Sequence, residues 1–153
     1  MGIEEQDQQW MAHALNLACR AEEEGEVPIG AVVVKDGVVI GEGWNRPIAL
    51  HDPTAHAEVQ AIRAAAIKQC NYRLPGSTLY VTLDPCTMCA GALFWSQMGA
   101  LVIGARDSKR GFSLLKPAPL HPKTKVSFGM LEADCEAKIK DFFKKMRDKQ
   151  KER

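Results

Sequence analysis

"STLYVTLDPCTMCAGALFWSQMGALVIGA", Ser77–Ala105, is the stretch on which the fold turns. "STLYVTL" and "ALVIGA" are short apolar runs that read as strands, and "CTMCAGALFWSQM" between them has the length and apolar content of a helix. Strand, helix, strand in that order predicts an α/β protein whose sheet contains parallel pairs. Cys86 and Cys89 then fall at the strand-to-helix turn, two residues apart, which is the spacing of a metal site or a redox pair.

Upstream, "TAHAEVQAIRAAA", Thr54–Ala66, is a second helix, with Asp52 or Thr54 as its cap, Pro53 tolerated in the first turn, and an end near Cys70 and Asn71. It carries His56 and Glu58 at its start. Two residues apart on a helix sets side chains about 200° from each other, so the pair reaches one site only from beyond the helix N-terminus. Before it, "PIGAVVVK" and "VVIGEGW" flank Asp36–Gly37, the sequence of a tight turn, and predict an antiparallel hairpin. Trp10, Ala14, Leu17, Ala18 and Ala21 recur at helical spacing from Glu4 to Glu24, and Gly25 ends that first helix.

Downstream, "RDSKRGFSLLKPAPLHPKTK" is rich in Pro, Gly and Lys and reads as a surface loop, followed by a short strand at "KVSFG". A last helix, at about residues 131–150, has Cys135, Ile139, Phe142, Phe143 and Met146 as a stripe expected to dock on the domain. Its other side is basic: Lys138, Lys140, Lys144, Lys145, Arg147, Lys149, Lys151 and Arg153. With no repeat or linker, residues 1–153 are expected to form one domain.

Composition narrows the function classes. The chain has 153 residues, is 46% hydrophobic and carries a net charge of +1, enough apolar content for one buried core and no overall basic footprint for nucleic acid. Charge is nevertheless uneven, with "EEEGE" at the end of the first helix and the basic C-terminus opposite it in sequence. No apolar run approaches a membrane span, and "MGIEEQDQQW" is acidic and polar rather than a secretory signal, so no membrane association and a cytoplasmic location are expected. Five cysteines cannot all pair within the chain, and Cys19, Cys70 and Cys135 read as small apolar groups.

Two helices that begin at the C-terminal edge of neighbouring parallel strands point into one crevice, which brings His56 to Cys86 and Cys89. One imidazole and two thiolates suit Zn²⁺, one ion per chain, with the fourth tetrahedral position open to water. Glu58, not needed as a ligand, is then free to move a proton between water and substrate. A thioredoxin-like redox pair accounts for Cys-x-x-Cys but leaves His56 and Glu58 without a role. A closed structural site needs a fourth ligand; His13, His51 and His121 lack suitable spacing, and Cys70 stays open as a candidate.

"HAE" followed by "PCTMC" resembles the zinc-dependent nucleobase deaminases of the cytidine deaminase superfamily, for which this signature is already described. Within it, "MAHALNLACRA", "EVPIGAVVV", "IGEGWNRP", "HDPTAHAE", "LYVTLDPCTMCAGAL", "GARDSKRG" and "DFFKKMR" are similar to the bacterial tRNA-specific adenosine deaminases over nearly the whole chain. The resemblance implies a three-layer α/β/α cytidine-deaminase-like fold around a five-stranded mixed sheet, a homodimer, and deamination of adenosine to inosine at the wobble position of a tRNA anticodon. It implies that His56, Cys86 and Cys89 hold zinc and Glu58 is general acid and base. It also implies that Asn45 hydrogen-bonds the purine and that the Ala57 and Ile29 backbones line the pocket. Asp107, Lys109 and Arg110 match a segment that lies beside the anticodon stem-loop. The chain differs from the family where Asp84 replaces a usual Glu and where Phe112–Ser113–Leu114 follows Gly111.

Lys144, Lys145 and Arg147 are further candidate phosphate contacts. Met88, Ala92, Leu93, Phe94, Trp95 and Met98 make the cysteine-bearing helix apolar on more than one face, which also predicts a homodimer. Two other readings remain: a deaminase of a free nucleobase or nucleoside such as guanine, adenosine or cytidine, and a non-catalytic zinc-stabilised binding module in which Glu58 is incidental.

Overall fold

The computed structural model describes residues 2–152; Arg153, counted above with the basic C-terminus, lies outside them. Helix α1 (Ile3–Glu23) leads into the hairpin of β1 (Gly30–Lys35) and β2 (Val38–Trp44). Asp36 and Gly37 both take positive φ, 51° and 73°, which is the backbone a two-residue hairpin turn requires. A short helix α2 (Pro47–Leu50) and helix α3 (Ala57–Gln69) follow, then β3 (Thr78–Leu83), α4 (Thr87–Ser96), β4 (Ala100–Ala105), β5 (Lys125–Phe128) and α5 (Glu132–Lys151). The five strands form one mixed sheet in the order β2-β1-β3-β4-β5, in which β1 is antiparallel to β2 and β3 while β3, β4 and β5 run parallel.

Alternation along the strands divides the core in two. Ala31, Val33, Leu79, Val81, Leu101 and Ile103 pack against Ala57, Ala61 and Ala65 of α3 and Ala90 and Leu93 of α4. The intervening Val32, Val34, Tyr80 and Val102 meet Met11, Ala14 and Leu17 of α1 and Cys135 of α5. The result is the expected α/β/α sandwich. Each fully buried Leu or Val contributes about 1.5–3 kcal/mol.

The structure answers why α3 is alanine-rich. Gly41 and Gly43 of β2 lie under it, and a Cβ on Gly43 would meet the Ala57 carbonyl and come within 2.6 Å of the Ala61 nitrogen. Helix and strand touch backbone to backbone because neither side presents a large side chain.

Three sequence expectations need correction. The strands that aim α3 and α4 at one edge, β2 and β3, are not neighbours: β1 lies between them, and two antiparallel steps restore the common direction. Helix α3 is not capped by Asp52 or Thr54; its N-cap position is His56, whose side chain makes no cap bond. The Asp52 carboxylate instead accepts the Thr54 N–H and hydroxyl at 2.8 and 2.7 Å, closing a local turn. The stripe on α5 docks over its first part only, with Ile139 and Phe142 half-buried. Cys135 is buried against Gly104, whereas Phe143 and Met146 are 41% and 43% exposed, because the helix outruns the sheet.

Candidate metal centre and base pocket

His56 and Cys86 occupy the N-cap positions of α3 and α4, each with extended backbone and neither capping its own helix. Both side chains are therefore free to turn away from the helices and toward the sheet edge between them. The Nδ1 of His56 lies 3.6 Å from Cys86 Sγ and 3.5 Å from Cys89 Sγ, and the three ligand atoms all fall within 4.8 Å of one another. A tetrahedral zinc with Zn–N of about 2.0 Å and Zn–S of about 2.3 Å requires an N–S edge of about 3.5 Å. The donor set and its spacing thus fit zinc. Among the described residues no fourth His, Cys, Asp or Glu joins the group. Cys70 is exposed at the C-terminal end of α3, the opposite end from His56, so it does not complete a closed site.

The electrostatics suit a cation. Hydrogen bonds from Cys89 and His56 hold the Cys86 thiol down to about 3, while its bond with Cys86 and burial push Cys89 far above the ordinary thiol range. Metal binding requires both sulfurs as thiolates, so a divalent cation between them displaces the remaining thiol proton. The hydrogen bond with Cys86 also raises His56, against the opposing effect of its burial. The N-terminal ends of two helices add positive potential at the sulfurs.

Glu58, in the first turn of α3, is 4% exposed, and burial pushes its carboxyl up to about 7. A carboxyl poised there exchanges a proton near neutral pH with little bias either way.

Asn45, directly after β2, meets the other candidate substrate-binding residues. Its backbone N–H donates to the Ile29 carbonyl at 3.1 Å, and its side-chain Oδ1 accepts the Ala57 N–H at 3.1 Å. The sequence candidates Asn45, Ala57 and Ile29 are therefore brought together beside His56. Among the described residues no acceptor takes the Asn45 side-chain NH₂, which leaves it available to a ligand.

The loop after β4 leaves the same sheet edge, since β3 and β4 are parallel. Asp107 is half-buried and its Oδ1 accepts the N–H groups of Lys109 and Arg110, both at 3.0 Å, so it shapes the turn that presents those two exposed side chains. The Phe112 N–H donates to the Pro85 carbonyl at 2.8 Å and ties this loop to the cysteine turn. Buried Asp84 accepts the Ser113 hydroxyl at 2.9 Å, and Gly111 is in contact with its carboxylate region, so the two departures from the family pattern meet in one place. Lys144, Lys145 and Arg147 are exposed on α5, away from this packing; Lys138 lies nearer the body and pairs with Glu22 at 3.2 Å.

Sequence pattern alone does not single out Glu26. It is 2% exposed and bonds two backbone N–H groups 22 and 23 residues away, and its sole local sign is a carboxylate wedged between Gly25 and the apolar start of "VPIGAVVV".

Residues 4–105 match the family described as the cytidine and deoxycytidylate deaminase zinc-binding region. A protein of Haemophilus influenzae called tRNA-specific adenosine deaminase is 47% identical over 95% of this chain and 87% of its own length. A structure from a study of A-to-I editing by tRNA:A34 deaminases at the wobble position of transfer RNA is 42% identical. It superimposes with a TM-score of 0.80 over 85% of this chain and 98% of the other. The structure of guanine deaminase from Bacillus subtilis is 41% identical over 69% of this chain and 66% of its own, with a TM-score of 0.63.

Proposed function

Because the chain belongs to the cytidine and deoxycytidylate deaminase family, in the branch of the tRNA-specific adenosine deaminases, we propose that it converts adenosine to inosine at the wobble position of a tRNA anticodon. Water replaces the amino group: a C–O bond forms at C6 of adenine, the C–N bond breaks, and ammonia leaves. The observation that carries the reading is the buried Glu58 carboxyl, two residues from His56 and outside the His56–Cys86–Cys89 triangle. A structural zinc module has no use for such a group.

His56, Cys86 and Cys89 would hold the zinc, which when bound supplies the Lewis acidity that makes water nucleophilic at neutral pH. Glu58 takes a proton from the attacking water and delivers it to the ring nitrogen, and then passes the second proton, from the oxygen newly bonded to C6, to the departing amine. The Asn45 NH₂ orients the purine, and the Ile29 and Ala57 backbones close the pocket around it. Because only a base out of its stack reaches such a pocket, the flanking nucleotides must bind outside it. Lys109, Arg110, Lys144, Lys145 and Arg147 supply exposed positive charge for their phosphates, with Asp107 holding the first two in place.

The same reading includes a homodimer in the cytoplasm, with residues 1–153 as one deaminase domain. Leu93 and Met98 are spent on the chain's own core, but Trp95 and Met88 are 72% and 37% exposed and Phe94 is half-buried beside them, which supports pairing through α4. The five cysteines are all free, as a reducing compartment keeps them. No described helix is long and apolar enough to cross a membrane.

The deciding experiment incubates the purified protein with an adenosine-bearing anticodon stem-loop and, separately, with guanine, adenosine and cytidine. Inosine in the stem-loop is the expected product. The likeness to guanine deaminase makes a free base or nucleoside the competing substrate, and ammonia released only from one of these three would overturn the tRNA assignment.

A further inference from the structure

Glu26 lies in the turn between α1 and β1, almost fully buried. Its Oε1 accepts the Ile48 N–H at 3.1 Å and its Oε2 accepts the Ala49 N–H at 2.8 Å. These are the second and third residues of α2, whose first residue, Pro47, has no N–H and whose N-cap residue, Arg46, makes no side-chain bond to the helix end. The helix end needs two acceptors, and the carboxylate, an acceptor on both oxygens, needs donors once water is excluded. Among the described residues no cation pairs with Glu26, so these backbone bonds are what satisfies it.

Around α2 the chain forms a closed loop. The Arg46 N–H donates to the Ala55 carbonyl at 2.9 Å and the Asp52 N–H to the Pro47 carbonyl at 3.1 Å. Asn45 leads into the loop, bonded to Ile29 on one side and to Ala57 on the other. Glu26 and Ile29 thus grip the same segment from one short turn, three residues apart. We propose that Glu26 is a positioning residue: its carboxylate sets the place of the Asn45–Ala55 loop, and through it the Asn45 NH₂ that meets the base. The proposal rests on the deaminase reading for its substrate but not for its geometry.

Glu26→Gln tests it with minimal change of shape. The amide keeps one acceptor and turns a donor toward the second backbone N–H, so one of the two bonds is lost. Leaving a buried donor unpaired loosens the hold on the loop, so that it spends less time in the position described above, and the competent fraction divides directly into apparent affinity. KM for the stem-loop should rise about tenfold, by that same reasoning, while kcat stays within about twofold because the zinc ligands and Glu58 stand on α3 and α4. Zinc content should not change. Hydrogen exchange should quicken at the Ile48 and Ala49 amides and stay at the wild-type rate along α4.

A folded Glu26→Gln protein with wild-type KM would overturn the proposal even if its melting temperature fell, because a residue that merely stabilises the fold leaves KM alone. Unchanged exchange at Ile48 and Ala49 would overturn it as well. If the wild-type protein leaves the stem-loop untouched, the substrate reading fails by itself, and the exchange measurement still decides the role of Glu26. Glu26→Ala, which loses both bonds, should show the larger KM; should it not fold, the Gln variant carries the test alone.

Discussion

Gly43→Ala should weaken zinc binding without touching a ligand. The added Cβ would lie 2.6 Å from the Ala61 nitrogen and closer still to the Ala57 carbonyl, where ordinary contact begins near 3.4 Å. Backbone stands on both sides, so no side chain can swing aside, and α3 must withdraw by roughly 1 Å at its N-terminal turn. His56 sits immediately before that turn. Zinc tolerates ligand displacements of only about 0.2 Å, so the His56 position becomes incompatible with the 3.5 and 3.6 Å edges to the cysteines. Zinc affinity should fall about 10–100-fold, the range seen when the support of a ligand is removed.

Overpacking of this kind costs about 3 kcal/mol, which for a chain of this size lowers the melting temperature by about 6–12 °C. The assay is zinc content and extraction by a competing chelator, alongside a thermal melt. Gly91→Ala is the control: it also lies near the centre, in the middle of α4, but an added Cβ there meets nothing within 4 Å. It should keep zinc. A Gly43→Ala protein that melts and holds zinc as the wild type does would refute the claim that backbone contact between β2 and α3 sets the position of His56.

Cys86→Ser or Cys89→Ser should lose metal and turnover together, measured by metal analysis and inosine formation, since a hydroxyl does not replace a thiolate on zinc. Glu58→Gln should retain zinc and fold yet lose turnover by about 10²–10⁴-fold, because an amide cannot relay the proton; unchanged kcat would make Glu58 structural. Truncation after Phe143 removes Lys144, Lys145 and Arg147 and should weaken stem-loop binding, lowering the salt slope by about one for each phosphate no longer neutralised. A truncated protein with unaltered affinity at low and high salt would release the end of α5 after Phe143 from any part in RNA binding. Trp95→Glu should convert the dimer to monomers in light scattering at micromolar concentration, and a wild-type protein already monomeric there would rule out pairing through α4.

By itself the sequence determined much of what depends on neighbours along the chain, although the cap of α3 was misplaced. Asp36–Gly37 specifies its turn because only those backbone conformations join two strands so tightly. "PCTMC" after "LYVTL" puts thiols at a helix start because strand and helix periods change at that point, and "HAE" reads the same way one helix earlier. The candidate ligand set was therefore legible, and the fold brings its three members together as a group that could hold a metal. Tertiary structure decided what depends on pairing between distant segments. That β1 lies between β2 and β3, that Gly41 and Gly43 fall under Ala57, Ala61 and Ala65, and that Glu26 meets α2 all follow from sheet order and register. Hydrophobic period tells which face of a strand is buried but not which strand lies beside it or how far it has slid. For the same reason α5 read as a docked stripe, when its length carries Phe143 and Met146 past the sheet that would have covered them. Apolar spacing records that a face exists; whether another element is there to cover it is decided only when the chain is folded.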